Sequence, residues 1–130
     1  MHKQLTNRVM NLLLAGDHYV LTVLRNQFHS ASISSVEDTS VGMFVDFSVS
    51  EPERLEEQKG VKRDFEVGDV HGIAGRSGVG FILFVRDGCI SMLEGYSYED
   101  ADWEKVTDDI ELTYGDHGRD FKTLSSSWQI

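Results

Sequence analysis

The chain has 130 residues, of which 40% are hydrophobic and 26% are charged, and its formal net charge is −10. These values are typical of one domain with its own core, so we expect a single domain over residues 1–130. The excess of acids argues against binding to nucleic acid or to a membrane, because phosphates and anionic lipids repel a negative surface. Cys89 is the only cysteine, and the apolar run at residues 12–15 is too short for a signal peptide or a membrane span. We therefore expect a cytoplasmic protein.

The N-terminal part of the chain predicts two helices. In the first, apolar residues are spaced three or four apart, and Gly16 is a natural end. Asp17 is a candidate N-cap for the second helix. The two apolar stripes consist of Leu5, Val9, Leu12 and Leu13, and of Val20, Leu21, Leu24 and Phe28. A tight corner at residues 15–17 would join the helices into a hairpin.

The rest of the chain predicts strands. Residues 32–37 favour a short edge strand, and residues 41–50 are the clearest strand, with alternate apolar residues and Phe44 interrupting the polar side. Residues 51–64 are charged and predict a surface excursion, whereas residues 65–74 predict a strand weakened by two glycines. Alternating Ile110, Leu112 and Tyr114 predict a further strand, and residues 121–128 a last strand or an irregular tail.

Residues 80–98 predict a central hairpin around the turn Asp87-Gly88. Asp-Gly between apolar runs favours a type I′ turn, in which both residues have positive φ. A two-residue loop fixes the register of the pairs: Arg86 with Cys89, Val85 with Ile90, Phe84 with Ser91, Leu83 with Met92, and Ile82 with Leu93. One face would carry Val85, Leu83, Phe81, Ile90 and Met92, and the other Phe84, Ile82 and Leu93. Two apolar faces favour a hairpin that is covered on both sides.

This order of elements predicts an α+β fold, in which an N-terminal helical hairpin packs on a mainly antiparallel meander sheet of five to six strands. We find no repeat and no linker that would divide the chain.

Two segments resemble metal sites without completing them. Residues 68–72, GDVHG, resemble the first block of calcineurin-like metallophosphatases, but the further blocks of that family are missing, so Asp69 and His71 are interpreted as exposed strand residues. Residues 100–111 place acids at calcium-loop spacing, but Lys105 occupies the position that requires glycine. The favoured interpretation is an acidic surface loop held by a buried Trp103. We predict no metal and no cofactor.

No catalytic residue is predicted. The five histidines are scattered without the spacing of a zinc site. Cys89 lies in a predicted strand, where a single cysteine is more often a packing residue than a nucleophile.

Acids and aromatic residues alternate near the end of the predicted hairpin and beyond it. Residues 94–116 contain nine acids and one base. Either this segment is a solvated acidic loop, or its aromatic residues anchor a partner that its charges attract. The candidate partner-binding residues are Glu94, Tyr96, Tyr98, Glu99, Asp100, Asp102, Trp103, Asp108 and Asp109. The predicted register places Glu94, Tyr96 and Tyr98 on the face of Phe81, where Glu94 either lines a site or emerges into solvent.

Four segments resemble a family of small, uncharacterised bacterial proteins. They are HYVLTVLRNQF, TSVGMFVDFSV, VGDVHGIA and GFILFVRDGCISMLEGYSY, between residues 17 and 98. The resemblance implies an α+β fold and no known active site. In size and charge alone, the chain is also similar to bacterial immunity proteins, which are small, acidic, single-domain antidotes to toxin domains.

We therefore expect a non-enzymatic binding protein, a bacterial immunity protein that neutralises a basic, nuclease-type toxin domain by protein–protein binding. The alternative is a small-molecule-binding or enzymatic α+β domain that uses the edge formed by Glu94, Tyr96 and Tyr98. A deep pocket around Glu94 would favour the alternative, and a flat acidic surface with aromatic residues would favour the binding protein. The sequence does not predict the oligomeric state.

Overall fold

The structure is a computed structural model that describes residues 2–50, 52–56, 59–74, 77–99, 103–115 and 118–130. Its helices are α1 (Lys3–Leu13), α2 (Tyr19–Ser30) and α3 (Phe121–Ser126), with a 3₁₀ turn at Trp103–Lys105. Its strands are β1 (Ser32–Asp38), β2 (Gly42–Ser48), β3 (Phe65–Ala74), β4 (Ser77–Arg86), β5 (Cys89–Ser97) and β6 (Glu111–Thr113). The predicted α+β fold is confirmed.

The six strands form one antiparallel sheet in the order β1-β2-β5-β4-β3-β6. The three consecutive strands β3, β4 and β5 form a meander at its centre. The hairpin of β1 and β2 joins the meander at β5, and the short strand β6 joins it at β3. Thus β4, the middle strand of the meander, has neighbours on both sides.

The helices α1 and α2 cover one face of the sheet. Their apolar stripes lie in the same buried core as the inward side chains of β4 and β5. Gly16, with φ 131°, makes the corner between the two helices. Arg25 of α2 donates hydrogen bonds to the carbonyl oxygens of Leu14, the C-cap of α1, and of Gly16 in the corner. The N-cap of α2 is His18, whose Nδ1 accepts from the backbone N–H of Val20, and not the predicted Asp17.

The central turn forms as predicted and is held by a buried amide. Asp87 and Gly88 have φ values of 52° and 70°. Gln27 of α2 is only 2% exposed. Its Nε2 donates to the carbonyl oxygen of Gly88 at 2.9 Å, and its Oε1 accepts from the N–H of Ile90 at 2.9 Å. This side chain therefore fixes the turn against α2.

The predicted register is right for two pairs and then shifts by one residue. Val85 pairs with Ile90 as predicted, but Phe84 pairs with Met92, so Ser91 is the extra residue of a β-bulge. A bulge is required because Ile90 and Leu93 are both buried, although residues three apart on a regular strand point to opposite faces.

The shift reverses the predicted faces of β5 beyond the bulge. Leu93 lies in the core opposite Leu83, whereas Met92 and Glu94 lie on the other face, opposite Phe84 and Ile82. The prediction that Glu94 shares a face with Phe81 is therefore wrong. The prediction of cover on both faces is also wrong, because the outward side chains of β4 and β5 are only half-buried.

Residues 121–128 form neither the predicted strand nor an irregular tail. Asp120 accepts hydrogen bonds from the N–H and the hydroxyl of Thr123 and thereby caps α3. These bonds lower the pKa of the Asp120 carboxyl below its ordinary value. After α3, Trp128 enters the core and packs on His18 and Phe65. Among the described residues, no helix combines the length and apolar character needed to cross a membrane.

The central turn gives a test of the fold. At Gly88 an added Cβ would lie 3.0 Å from the backbone N and O of Leu55, whereas at Gly60, with φ 78°, it would meet nothing within 4 Å. We expect Gly60→Val to lower the free energy of unfolding by about 1–3 kcal/mol through backbone strain alone. Gly88→Val should lower it further, because the contact with Leu55 adds to the strain. Equal losses in urea denaturation would contradict this arrangement of the turn.

Candidate functional site

The face of the sheet opposite α1 and α2 carries a patch of half-buried side chains, five of them aromatic or aliphatic and one acidic, which we call the open face. It is formed by Phe44 of β2, Ile82 and Phe84 of β4, and Met92, Glu94 and Tyr96 of β5. Phe44 and Ile82 are the partners of Glu94 on either side, and Phe84 is the partner of Met92. Because paired residues in antiparallel strands project to the same face, these side chains form one surface.

Glu94 is the central side chain of the open face. Its cross-strand partners are Phe44 and Ile82, and its neighbours along β5 on this face are Met92 and Tyr96. Glu94 is half-buried, and its carboxylate has no hydrogen-bond donor and no ion-pair partner among the described residues. An unpaired carboxylate can accept a charge-assisted hydrogen bond from a cation.

Charged residues surround this apolar centre. Glu37 and Asp46 extend the open face towards β1, since Glu37 pairs with Phe44 and Asp46 pairs with Met92. On the other side, Glu66 pairs with Phe84. Arg86 lies over the Phe84 ring, 5.3 Å from its centroid, and its Nη1 is 3.8 Å from Glu66 Oε2. The open face thus has an aromatic and aliphatic centre with a mostly acidic rim.

Two tyrosines extend the open face towards the ends of β4 and β5. Tyr96 lies over Gly80, where an added Cβ would come within 2.5 Å of the tyrosine hydroxyl, and Tyr98 lies over Gly78 in the same way. Their ring centroids are 5.7 Å apart in an edge-to-face arrangement. The Tyr98 hydroxyl forms a short hydrogen bond with His71 Nδ1. Partial burial of the Tyr98 phenol raises its pKa above the ordinary value.

The predicted partner-binding residues are divided between the two sides of the sheet. Glu94, Tyr96 and Tyr98 lie on the open face, and Glu99 is exposed beyond the end of β5. Asp100 and Asp102 lie outside the described residues. The other three predicted residues belong to the loop that follows and face the helical layer or solvent: Trp103, Asp108 and Asp109.

Trp103 is a core residue and is therefore not available as a contact residue. It is 3% exposed, and its ring packs against Phe81 with centroids 6.3 Å apart. Its Nε1 donates to Asp38 Oδ1 at 2.9 Å. Asp108 is structural as well, because its Oδ1 accepts from the N–H of Leu5 at 3.3 Å, in the first turn of α1. The hydroxyl of Thr107 donates to the exposed Asp109 and lowers the pKa of that carboxyl.

Asp69 and His71, the residues of the metallophosphatase-like motif, have different partners. His71 forms a hydrogen bond with Tyr98, and Asp69 forms an ion pair with Arg119. Asp69 lies in a bulge of β3 and pairs with Arg119, whose Nε is 2.7 Å from Asp69 Oδ2. Arg119 also donates to the carbonyl oxygens of Leu13 and Ala15, so the pair ties β3 to the end of α1. In the part of the chain that the structure describes, no group of three or more His, Cys, Asp or Glu side chains is placed to hold a metal ion.

Cys89 lies at the start of β5 and is half-buried. Burial raises the pKa of its thiol above the ordinary value, although the nearby Arg54 opposes that effect. A thiol with a raised pKa is protonated at neutral pH and is a poor nucleophile. This environment favours the interpretation of Cys89 as a packing residue.

Four cavities among the described residues lie away from the open face. One, of about 580 Å³, is a groove between α1, the end of α2 and β1, with Phe28 and Phe47 in its wall. The three others lie at the start of α2, beside α3 and near His2. Glu94, Tyr96 and Tyr98 line none of these four cavities.

Four members of the open face were not among the residues predicted to bind a partner: Phe44, Ile82, Phe84 and Met92. One signal was present, since Phe44 interrupts the polar side of an otherwise alternating strand. The other signal was the three-residue spacing of Ile90 and Leu93. It indicates a bulge only when both residues are known to be buried on the same face.

Trp103 gives a test that separates the core from the surface. We expect Trp103→Ala to lower the free energy of unfolding by about 3–5 kcal/mol, because the substitution leaves a cavity beside Phe81. Glu104→Ala, at the exposed neighbouring position, should change it by less than about 0.5 kcal/mol. Urea denaturation of the two variants measures the difference. A small loss of stability in Trp103→Ala would contradict the assignment of this side chain to the core.

The Asp69–Arg119 pair gives a second test. The Arg119 side chain is only 5% exposed, so Asp69→Ala leaves a buried charge without its partner. We expect a loss of about 3–5 kcal/mol in the free energy of unfolding. For comparison, Glu66→Ala removes an ion pair whose two side chains are 45% and 52% exposed, and should cost less than about 1 kcal/mol. Similar losses for the two variants would show that the Asp69 pair is solvated.

Comparison with known proteins gives no assignment for this surface. No family model, no curated protein and no solved structure matches the chain. The resemblance to small bacterial proteins therefore stays an expectation.

Proposed function

We propose that this chain is a non-enzymatic binding protein whose open face binds a basic protein, in the manner of an immunity protein that neutralises a nuclease-type toxin domain. The observation that supports this proposal most directly is Glu94. This carboxylate has no partner among the described residues, and it lies at the centre of a half-buried aromatic and aliphatic surface.

The side chains around Glu94 fit a lysine or arginine of a partner. Such a cation would form a charge-assisted hydrogen bond with the carboxylate, and its alkyl part would contact Phe44 and Ile82. The ring of Tyr96 adds a face for a cation–π contact. Binding would also exclude water from the site, which strengthens the ion pair. An apolar centre inside a polar rim is the usual anatomy of a protein–protein interface.

The charge of the chain supports a basic partner. A nuclease binds phosphate with a basic cleft, and a protein of net charge −10 is attracted to that cleft over long distances. The rim acids Glu37, Asp46 and Glu66 place part of this charge beside the apolar centre. The alternative, an enzyme or small-molecule-binding domain at the Glu94 edge, has less support, because no described cavity encloses Glu94.

The proposal predicts that a gene directly beside that of this chain encodes a toxin domain, and that domain is the binding partner for the test. We expect Glu94→Gln to weaken binding by at least about tenfold, since hydrogen bonds to charged groups contribute about 1.5–3 kcal/mol. The change should appear mainly as faster dissociation, measured by surface plasmon resonance. Glu37→Gln with Glu66→Gln should instead slow association, and the effect should fade as salt is raised, because the Debye length is about 8 Å at physiological ionic strength.

Stability measurements distinguish binding from folding in this test. Because Glu94 has no partner among the described residues, Glu94→Gln should leave the melting temperature unchanged or raise it. Glu111→Gln, an exposed acid on the short edge strand β6, is the matched control and should leave dissociation unchanged. An adjacent gene that encodes no toxin, or full affinity in Glu94→Gln, would contradict the proposal.

A further inference from the structure

The strand β1 forms one edge of the sheet, and no strand of the described residues pairs with its outer side. All seven residues of β1 are exposed, whereas the strand at the opposite edge, β6, has only three residues. An open edge is a template for pairing with another strand, and proteins protect such edges with short strands, lysine or proline. Because β1 is long and contains neither lysine nor proline, its edge is available for pairing.

The hydrogen bonds at the turn between β1 and β2 show which backbone groups of β1 point outwards. The N–H of Thr39 donates to the carbonyl oxygen of Gly42 at 2.8 Å. In an antiparallel pair, residues that are bonded to the neighbouring strand alternate with residues that are not. The backbone N–H and C=O groups of Val36 and Asp38 therefore point away from β2, towards the free edge.

A bulge at Ser34 gives Ile33 the same orientation as Val36, although the two residues are three apart. Ile33 pairs with Phe47, and Val36 pairs with Val45. Phe47 and Val45 are two residues apart on β2 and both lie in the core. Ile33 and Val36 therefore project to the helical side of the sheet, and both direct their backbone groups to the free edge. Their side chains are 42% and 44% exposed, so this edge also carries apolar surface.

A second copy of β1 fits this edge in an antiparallel register with a two-fold axis between Ser34 and Ser35. Ile33 of each copy then pairs with Val36 of the other, and their free backbone groups complete two hydrogen-bonded pairs. The exposed side chains of these pairs come into cross-strand contact on the helical side. The bulge of one strand lies opposite the bulge of the other, whereas opposite a regular strand the extra residue would interrupt the ladder. The bulge thus favours a second copy over an unrelated strand.

The charges at the two ends of β1 agree with this register. Asp38 of one copy lies opposite Ala31 of the other, so the acidic end of each strand does not face the acidic end of its partner. Ala31 lines the groove of about 580 Å³ between α1, the end of α2 and β1, whose wall also includes Lys3 and His29. No Asp or Glu occurs among the described residues that line this groove. The acidic end of one copy therefore approaches a groove with basic residues in the other.

From the free edge, the matching bulges and the placement of the charges, we infer that β1 is a self-association surface. Two copies of the chain join along this strand, so that one antiparallel sheet runs through both. The inference is independent of the proposed function, because it uses the backbone edge of β1 and not the centre of the open face.

Sedimentation velocity and amide hydrogen exchange of the full chain test this inference together. We expect a reversible monomer–dimer equilibrium at physiological ionic strength, where salt screens the repulsion between chains of net charge −10. As the dimer fraction rises with concentration, the amides of Ile33 and Val36 should exchange more slowly in NMR spectra. The amide of Glu37, which already faces β2, should change little. A chain that stays monomeric at every concentration, or a dimer without protection of Ile33 and Val36, would overturn the inference.

Substitutions separate this contact from the stability of the fold. Val36→Lys places an ammonium group beside Ile33 of the other copy and should weaken association at least about tenfold. Its melting temperature in dilute, monomeric samples should change little, because Val36 is an exposed residue. Ile73→Lys is the matched control, since Ile73 is an exposed apolar residue of β3, and it should leave association unchanged.

Two further outcomes would contradict self-association through β1. One is unchanged association in Val36→Lys, which would place the contact elsewhere. The other is protection of the Ile33 and Val36 amides that develops only when the toxin domain is added, which would assign the edge to that partner.

Discussion

The β-bulges on either side of β4 are the constraint on which the arrangement of this protein depends. The inward residues of β4 alternate regularly and are fully buried: Val79, Phe81, Leu83 and Val85. Each neighbouring strand contains one extra residue, between Val67 and Val70 in β3 and between Ile90 and Leu93 in β5. The bulges let residues three apart face the same core. Without the bulge in β5, Leu93 would point to solvent and Glu94 to the core, at a cost of both hydrophobic burial and charge desolvation.

Polar side chains fix the helices on this bulged sheet. Gln27 of α2 binds the central turn beside the bulge in β5, and its buried amide has a partner for both its nitrogen and its oxygen. Arg119 joins Asp69, in the bulge of β3, to the carbonyl oxygens at the end of α1. The two bulges are therefore the places where the helical layer is tied to the sheet. Each tie uses a group that is costly to bury alone, so the hydrogen bonds select one packing arrangement.

Two polar groups of this framework have no partner among the described residues, although folding satisfies most such groups internally. One is the carboxylate of Glu94, which lies within the apolar surface of the open face. The other is Trp128 Nε1, which is buried in the core.

The sequence by itself determined the α+β fold, the helical hairpin, most strands and the Asp87-Gly88 turn, because periodicity and turn chemistry are local properties. It also indicated Glu94, Tyr96 and Tyr98 as members of one surface. The tertiary structure alone decided which face they occupy, since the bulge at Ser91 depends on the packing of Ile90 and Leu93 against β4. It likewise decided between the two predicted roles of Trp103, in favour of the core, and showed that Asp108 supports α1 and that the residues after Asp120 form a helix. These outcomes depend on contacts between residues far apart in the chain, and local patterns do not contain that information.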